Sequence, residues 1–184
     1  MRNNPDQAII ERARRFETQA LEEIFDRYSP GIFRYAFRLL GDTELARDCM
    51  SETFSRLLIA LKHDSGPNNY LQAYLYRIAH NWVTDYYRSK VPPSLPLDGH
   101  IPANSAEEPD RKLTDEMSNR QLRSALTLLT PDQRQVIVLK YLEDWENEAI
   151  ALALNKPIGA IKALQHRGIE ALRRILSHNE EFIV

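Results

Sequence analysis

Apolar side chains in the first ninety residues recur at three- and four-residue intervals: Ala20, Ile24, Phe25 and Tyr28, then Ile32, Phe33, Ala36, Phe37 and Leu40. This is the period of one buried helix face, and no run alternates with the two-residue period of a half-buried strand. Pro30 and Gly31 predict a break between a first and a second helix. Gly41 and Asp42 predict the end of the second and the cap of a third, which carries Leu45, Cys49, Phe54, Leu57, Leu58 and Leu61. The turn-rich run Lys62 to Asn69 predicts a loop. A fourth helix is expected from about Tyr70 to Lys90, with Leu71, Leu75, Ile78, Ala79 and Trp82 on its apolar side.

The pattern then stops. Between Val91 and Pro109 stand Pro92, Pro93, Pro96, Pro102 and Pro109, five of the ten prolines of the chain. Proline removes amide donors and restrains the residue before it, so neither a helix nor a central strand continues through such a stretch. Residues 91–110 therefore read as a linker, with Asp98, Glu107, Glu108 and Asp110 and no Lys or Arg. Fully extended, its 20 residues reach ~65 Å, so the flanking modules need not touch.

Helical periodicity returns from about Arg111 to Leu129. Thr130, Pro131, Asp132 and Gln133 then combine a capping hydroxyl, a first-turn proline, an acid at the positive helix end and the last member of a capping box. That helix is expected to run through Leu142. Two more follow, about Trp145 to Leu154 and Gly159 to Ser177, separated only by Asn155, Lys156, Pro157 and Ile158. Asn155 suits the left-handed residue of so tight a turn. The pair predicts a helix-turn-helix, and the chain as a whole an all-α fold of two helical domains, 6–90 and 111–178, joined by linker 91–110.

In such a motif the second helix enters the major groove while its other face packs on the first. Ile161, Leu164, Gly168, Leu172 and Ile175 supply the packing face, which leaves Lys162, Gln165, His166, Arg167, Arg173 and Arg174 for phosphates and bases. Composition sharpens this picture. The 184-residue chain carries a formal net charge of -2, at odds with the basic excess usual in DNA-binding domains. From Lys156 to Arg174, however, five basic residues stand against Glu170 alone, a local charge of +4. In the first module, the fourth helix interleaves Tyr70, Tyr74, Tyr76, Trp82, Tyr86 and Tyr87 with Arg77, His80, Asn81 and Arg88. Unstacked bases can lie on such rings at ~1–3 kcal/mol each while the cations track phosphates.

Other classes are poorly served. No apolar run approaches the ~18–20 residues of a membrane span, and the N-terminus lacks the apolar region of a signal peptide, so membrane insertion is not expected and a cytoplasmic location is. The five histidines are scattered without ligand spacing, and no cluster of acids, bases or nucleophiles suggests an enzyme. No metal, cofactor or catalytic residue is expected. The single Cys49 reads as a small buried hydrophobe, and Asp85 as a helix-supporting acid.

Three motifs carry a resemblance to the group IV, or extracytoplasmic-function, sigma factors of bacterial RNA polymerase, over about Thr18 to Leu176. Gly41 and Asp42 followed by Ala46 to Leu57 resemble the family's GD, AxD and QETFxRL segment, which implies that Asp48, Ser51, Glu52, Phe54, Arg56 and Leu57 bind the clamp of the polymerase largest subunit. Tyr74 to Asn81 with Asp85 and Arg88 resemble the WLxxIAxNxxxDxxR segment that opens and reads the -10 element. With the preceding loop, this implies a single-stranded DNA site at Lys62, His63, Tyr70, Tyr74, Arg77, His80, Asn81 and Arg88. Leu129 to Arg134 and Gly159 to Arg167 resemble the pieces that dock on the polymerase flap and read the -35 element. They imply a duplex site at Lys156, Gly159, Ala160, Lys162, Ala163, His166 and Arg167.

Ser51 replaces a usual Gln, Tyr74 a usual Trp, and Leu164 stands where many relatives have Arg. The implied function is promoter-specific initiation by binding core polymerase, recognising both elements and melting the -10 region. An anti-sigma factor is a further candidate partner, and no accessory domain is expected after Val184. The rival reading is a stand-alone helix-turn-helix regulator, which leaves the aromatic helix and the clamp-like motif without a role.

Overall fold

The computed structural model describes residues 5–90 and 121–180, with side chains for 6–90 and 121–177. Every regular element among them is helical. The first module comprises α1 (Pro5–Arg14), α2 (Thr18–Leu40), α3 (Thr43–Lys62) and α4 (Leu71–Lys90). The linker 91–110 and the expected helical turns 111–120 lie outside the described residues. The second module resumes with α5, residues 121–127, followed by α6 (Pro131–Ile137), a π-helical turn (Val138–Leu142), α7 (Asn147–Leu154) and α8 (Ile158–Glu180).

The helix ends follow the cap chemistry. Gly41 adopts a left-handed φ of 70° and returns its amide to the Phe37 carbonyl, closing α2. Asp42 then accepts from the Leu45 amide and opens α3. Thr130 and Gln133 form a reciprocal capping box at the start of α6, with Pro131 in the first turn. Asn155 takes the left-handed turn between α7 and α8 at φ 53°.

One reading is corrected and one element is added. Pro30 and Gly31 do not separate two helices: α2 runs unbroken from Thr18 to Leu40 with Pro30 inside it. Proline forfeits one intrahelical bond, but Ile24, Tyr28, Ile32 and Tyr35 are buried on both sides of it. That continuous apolar face outweighs the local defect. Gly31 has a packing role instead, since a Cβ there would lie 2.7 Å from the Tyr76 hydroxyl. Second, α1 lies ahead of the first expected helix and buries Ile9, Ile10 and Ala13.

The core of the first module joins α1 and α2 to α3 and α4 through Ile24, Ile32, Tyr35, Leu57, Leu71 and Leu75. Cys49 is fully buried and donates weakly to the Ala79 carbonyl, so burial pushes its thiol up to about 12. In the second module α6 crosses α8 at Gly168, where an added Cβ would meet Ile137 Cγ1 at 2.9 Å. Ile161, Leu164 and Leu172 pack there as the periodicity predicts. The two modules touch: α7 lies against α4, and the turn before it against α2.

Candidate nucleic-acid interface

On α3, Asp48, Ser51 and Arg56 are exposed, and Arg56 donates to the Glu52 carboxylate over one helical turn at 2.7 Å. These four share a polar face at three- and four-residue steps. Phe54 and Leu57, grouped with them by the resemblance, are instead buried; Phe54 packs on Phe25 with ring centroids 4.9 Å apart. They hold the face in place rather than form it. Leu58 and Ile59, 40% and 56% exposed, adjoin it and were not singled out from the sequence, because on periodicity alone Leu58 belongs to the core stripe.

The loop after α3 is held from α1. Arg14 ion-pairs with Asp64 at 2.9 Å and donates to Asn68 Oδ1 at 2.6 Å and to the Pro67 carbonyl at 3.3 Å. Asp6 accepts from the Leu71 amide, satisfying a free donor at the start of α4, and from the Tyr28 hydroxyl. Arg14 and Asp6 are thus positioning residues for the loop that the sequence reading missed. Their partners in the loop and at the start of α4 lie fifty or more residues away, and no local spacing reveals such a pair.

Between this loop and α4 opens a cleft of about 230 Å³ lined by Asn68, Asn69, Tyr70, Tyr74, Arg77 and Leu152. Tyr70 stands at its rim, 54% exposed, in a left-handed backbone conformation with φ 51°. A non-glycine residue there is strained, and the strain presents the ring to solvent. Lys62, His63 and Asn81 are exposed, and Arg88 ion-pairs with Asp85 one turn back at 3.3 Å. Two expected members of this site are withheld from it in their polar atoms, although Arg77 borders the cleft. Arg77 donates to the Leu152 and Ala153 carbonyls at the end of α7. His80 is largely buried with Nδ1 unpartnered; burial lowers its pKa to about 4, helped by Lys156 and opposed by Asp132. It is therefore neutral near pH 7 and brings no charge to a phosphate.

The apolar side of α4 also differs from expectation. Tyr76 and Val83 are buried, whereas Trp82 is half-exposed and stacks on Tyr86 with rings 4° from parallel and centroids 5.8 Å apart. Lys90 lies 4.8 Å over the Tyr86 ring. This leaves an aromatic and cationic strip on the outer side of the helix, of the kind on which unpaired bases stack.

On α8, Gly159, Lys162, Ala163, His166 and Arg167 are exposed along one face, with Ala160 half-buried beside them. Nothing lies within 4 Å of a Cβ placed on Gly159, so the N-terminal turn is open to a groove. Lys156 leans on Asp132 at 3.0 Å, and His166 on Glu170 at 3.4 Å. Gln165 is tied down, donating to Asn147 Oδ1 at 2.5 Å across the motif, and is withdrawn from the set available for bases. Leu164 is buried, so the position where relatives carry Arg serves packing in this chain.

Arg134, in the Leu129–Arg134 motif, is 3% exposed. It donates to the carbonyls of Leu126 at 2.7 Å, Thr127 at 2.8 Å and Leu129 at 3.2 Å, and lies 4.9 Å over the Tyr87 ring. It therefore closes the C-terminal end of α5 and braces α4 at once. No group of His, Cys, Asp or Glu among the described residues is arranged to hold a metal, and none of the described helices is long and apolar enough to cross a membrane.

Comparison with known proteins bears on both modules. Residues 24–91 match the family model for Sigma-70 region 2, and residues 119–172 that for Sigma-70, region 4. The chain is 33% identical over 180 residues to the ECF RNA polymerase sigma factor SigW of Bacillus subtilis, covering 91% of this chain and 94% of SigW. It is 31% identical over 170 residues to the ECF RNA polymerase sigma factor BldN of Streptomyces coelicolor, of which it spans 64%. The structure of CnrH in complex with the cytosolic domain of CnrY matches with a TM-score of 0.73 over 94% of this chain and 97% of that one, at 20% identity, a likeness of fold.

Proposed function

The chain belongs to the sigma-70 family, in its extracytoplasmic-function branch, and is an RNA polymerase sigma factor; from that membership we propose how its residues divide the work of promoter-specific initiation. Residues 6–90 form the clamp-binding and -10 module, 91–110 the linker, and 111–178 the flap-binding and -35 module. The polar face of α3, with Asp48, Ser51, Glu52 and Arg56, docks on the clamp, while Leu58 and Ile59 add apolar area beside it. The exposed face of α8 enters the major groove at -35, with Lys162 and Arg167 on phosphates or base edges.

The cleft at Tyr70, Tyr74 and Asn68 takes up bases of the -10 element once they leave the stack. Melting becomes cheaper because unstacked bases gain ring contacts absent in the duplex, at ~1–3 kcal/mol per base. The observation that carries this reading is that one chain presents both a duplex-type cationic helix and a single-strand-type aromatic cleft. This chain supplies no bond-making group in the reading; the polymerase does the chemistry. A cytoplasmic location follows from the partners, and an anti-sigma factor is proposed as a regulator by the same membership. A stand-alone regulator would bind duplex tightly without polymerase and would have no use for the cleft or the α3 face. Run-off transcription with purified core polymerase tests the choice: transcript that depends on this chain supports the reading, and duplex binding without initiation refutes it.

A further inference from the structure

Arg14 stands on α1, ahead of the residues 24–91 that match Sigma-70 region 2, yet its guanidinium ends on the loop that borders the cleft. Its contacts there fall on three different groups: the Asp64 carboxylate at 2.9 Å, the Pro67 carbonyl at 3.3 Å and Asn68 Oδ1 at 2.6 Å. Asp6, on the same helix, takes the amide of Leu71, the residue after Tyr70. Asp64 and Tyr70 carry left-handed φ values of 52° and 51° at the two ends of this span. Non-glycine residues keep such a conformation only where the surroundings over-determine it, and α1 holds the span at both ends.

The Asn68 contact has a chemical consequence. An arginine side chain offers donors alone, so the amide must turn its oxygen to Arg14, which leaves the two N–H donors for a molecule in the cleft that Asn68 lines. An unengaged asparagine amide pairs with adenine through both of its groups, giving to N7 and accepting from N6. Asn68 lacks the second half of that pairing. Its oxygen is engaged, and the guanidinium beside it repels an incoming amino group. The rim therefore presents donors next to the exposed ring of Tyr70. Such a rim suits a base edge with two neighbouring acceptors, O6 and N7 of guanine or O2 and N3 of cytosine, and opposes adenine.

We propose that Arg14 is a specificity-determining positioning residue: by fixing the Asn68 amide with its donors toward the cleft, it makes the cleft select an unstacked -10 base with adjacent acceptors and disfavour adenine. This rests on the reading that the cleft takes up such a base. It adds to that reading a residue from outside the matched region and the base edge that is recognised.

The test uses holoenzyme at saturating core polymerase and fork-junction fragments with a single-stranded non-template overhang, so that duplex melting does not enter. Each of the four bases stands in turn at each -10 position. Competition yields the affinity ratio of guanine or cytosine to adenine, which a uniform loss of strand binding leaves unmoved. At one position the parent is expected to favour guanine or cytosine over adenine about tenfold, the scale of one discriminating side-chain contact. Arg14→Ala lets the amide turn over and pair with adenine again, so the ratio should fall to within about twofold. Asn68→Asp still accepts from Arg14 and keeps the loop tied, but it has no donor. It should invert the ratio toward adenine, whose N6 amino group a carboxylate accepts.

Arg14→Ala that weakens all four bases alike, at the parent's ratio, makes the contact a structural tie alone and overturns the inference. An Asn68→Asp chain with the parent's ratio overturns it too, as does a parent that favours adenine, or no base, at every position. If instead Tyr70→Ala leaves strand affinity at the parent's value, no base enters the cleft; the proposed role of the cleft then fails first, and this inference with it.

Discussion

Replacing Lys162 and Arg167 with alanine removes two cations from the exposed face of α8. Neither takes part in an ion pair among the described residues; Arg167 only returns a hydrogen bond to the Ala163 carbonyl at 3.3 Å. Both are therefore available to phosphates at little desolvation cost. Each phosphate neutralised contributes about 0.9 to the slope of log affinity against log salt. Two lost contacts should flatten that slope by ~1.8, and over a fourfold rise in salt the parent should lose ~12-fold more affinity than the variant. The assay is fluorescence anisotropy of holoenzyme on a duplex carrying a -35 element alone, repeated across salt concentrations, with circular dichroism to establish that helix content is retained. If one residue reads a base edge, the slope changes by only ~0.9 and specificity relaxes at one base pair. Parallel slopes for parent and variant would remove both residues from the DNA contact.

Other outcomes follow from the same geometry. Arg134→Ala deletes three carbonyl bonds at the end of α5 and the Tyr87 contact, and should cost ~3–5 kcal/mol in urea unfolding; a loss below ~1 kcal/mol would show that water replaces it freely. His80 has a folded-state pKa depressed to about 4, so the stability it confers is complete above its unfolded value near 6.5 and is lost as pH falls through about 4. Unfolding at about pH 7 and about pH 4 should therefore show a drop larger in the parent than in His80→Gln by on the order of 3 kcal/mol; equal drops would contradict its burial in solution. Tyr70→Ala and Asn81→Ala should slow promoter opening, followed by 2-aminopurine fluorescence at -10, while leaving core affinity within ~2-fold, the Tyr70 loss reflecting stacking worth ~1–3 kcal/mol per base; equal loss of both readouts would remove these residues from -10 opening.

What could be read from the chain was whatever is local. Caps are local, so Gly41, Asp42, Thr130 with Gln133 and Asn155 stand where their chemistry predicts. The α8 packing face is local too, being a repeat along one helix. Pro30 misleads because its cost is local while the compensation, burial of Ile24, Tyr28 and Ile32 against other helices, is not. Helix α1 offers only Ile9, Ile10 and Ala13 as a signal, too short a pattern to stand out, yet it pins the loop between α3 and α4 through Arg14 and Asp6.

The cationic and aromatic residues of α4 were visible as a set, but which side each one faces depends on the second module. Arg77 turns to the end of α7 and His80 is largely buried, while Tyr70 and Asn81 stay exposed. Likewise Arg134 falls inside a motif read for docking, while its side chain is spent on Leu126, Thr127 and Leu129. A motif marks where a residue is required, and only the tertiary contacts say for which task.

The central claim is that this chain confers promoter-specific initiation on RNA polymerase. Purified core polymerase, this chain and a library of promoter fragments, read out by run-off transcription, test it most directly. The account predicts transcripts that require the chain, start from a subset of fragments sharing -35 and -10 elements, and fall when Lys162 and Arg167 are replaced. A chain that shifts duplex DNA by itself yet yields no dependent transcript would contradict it.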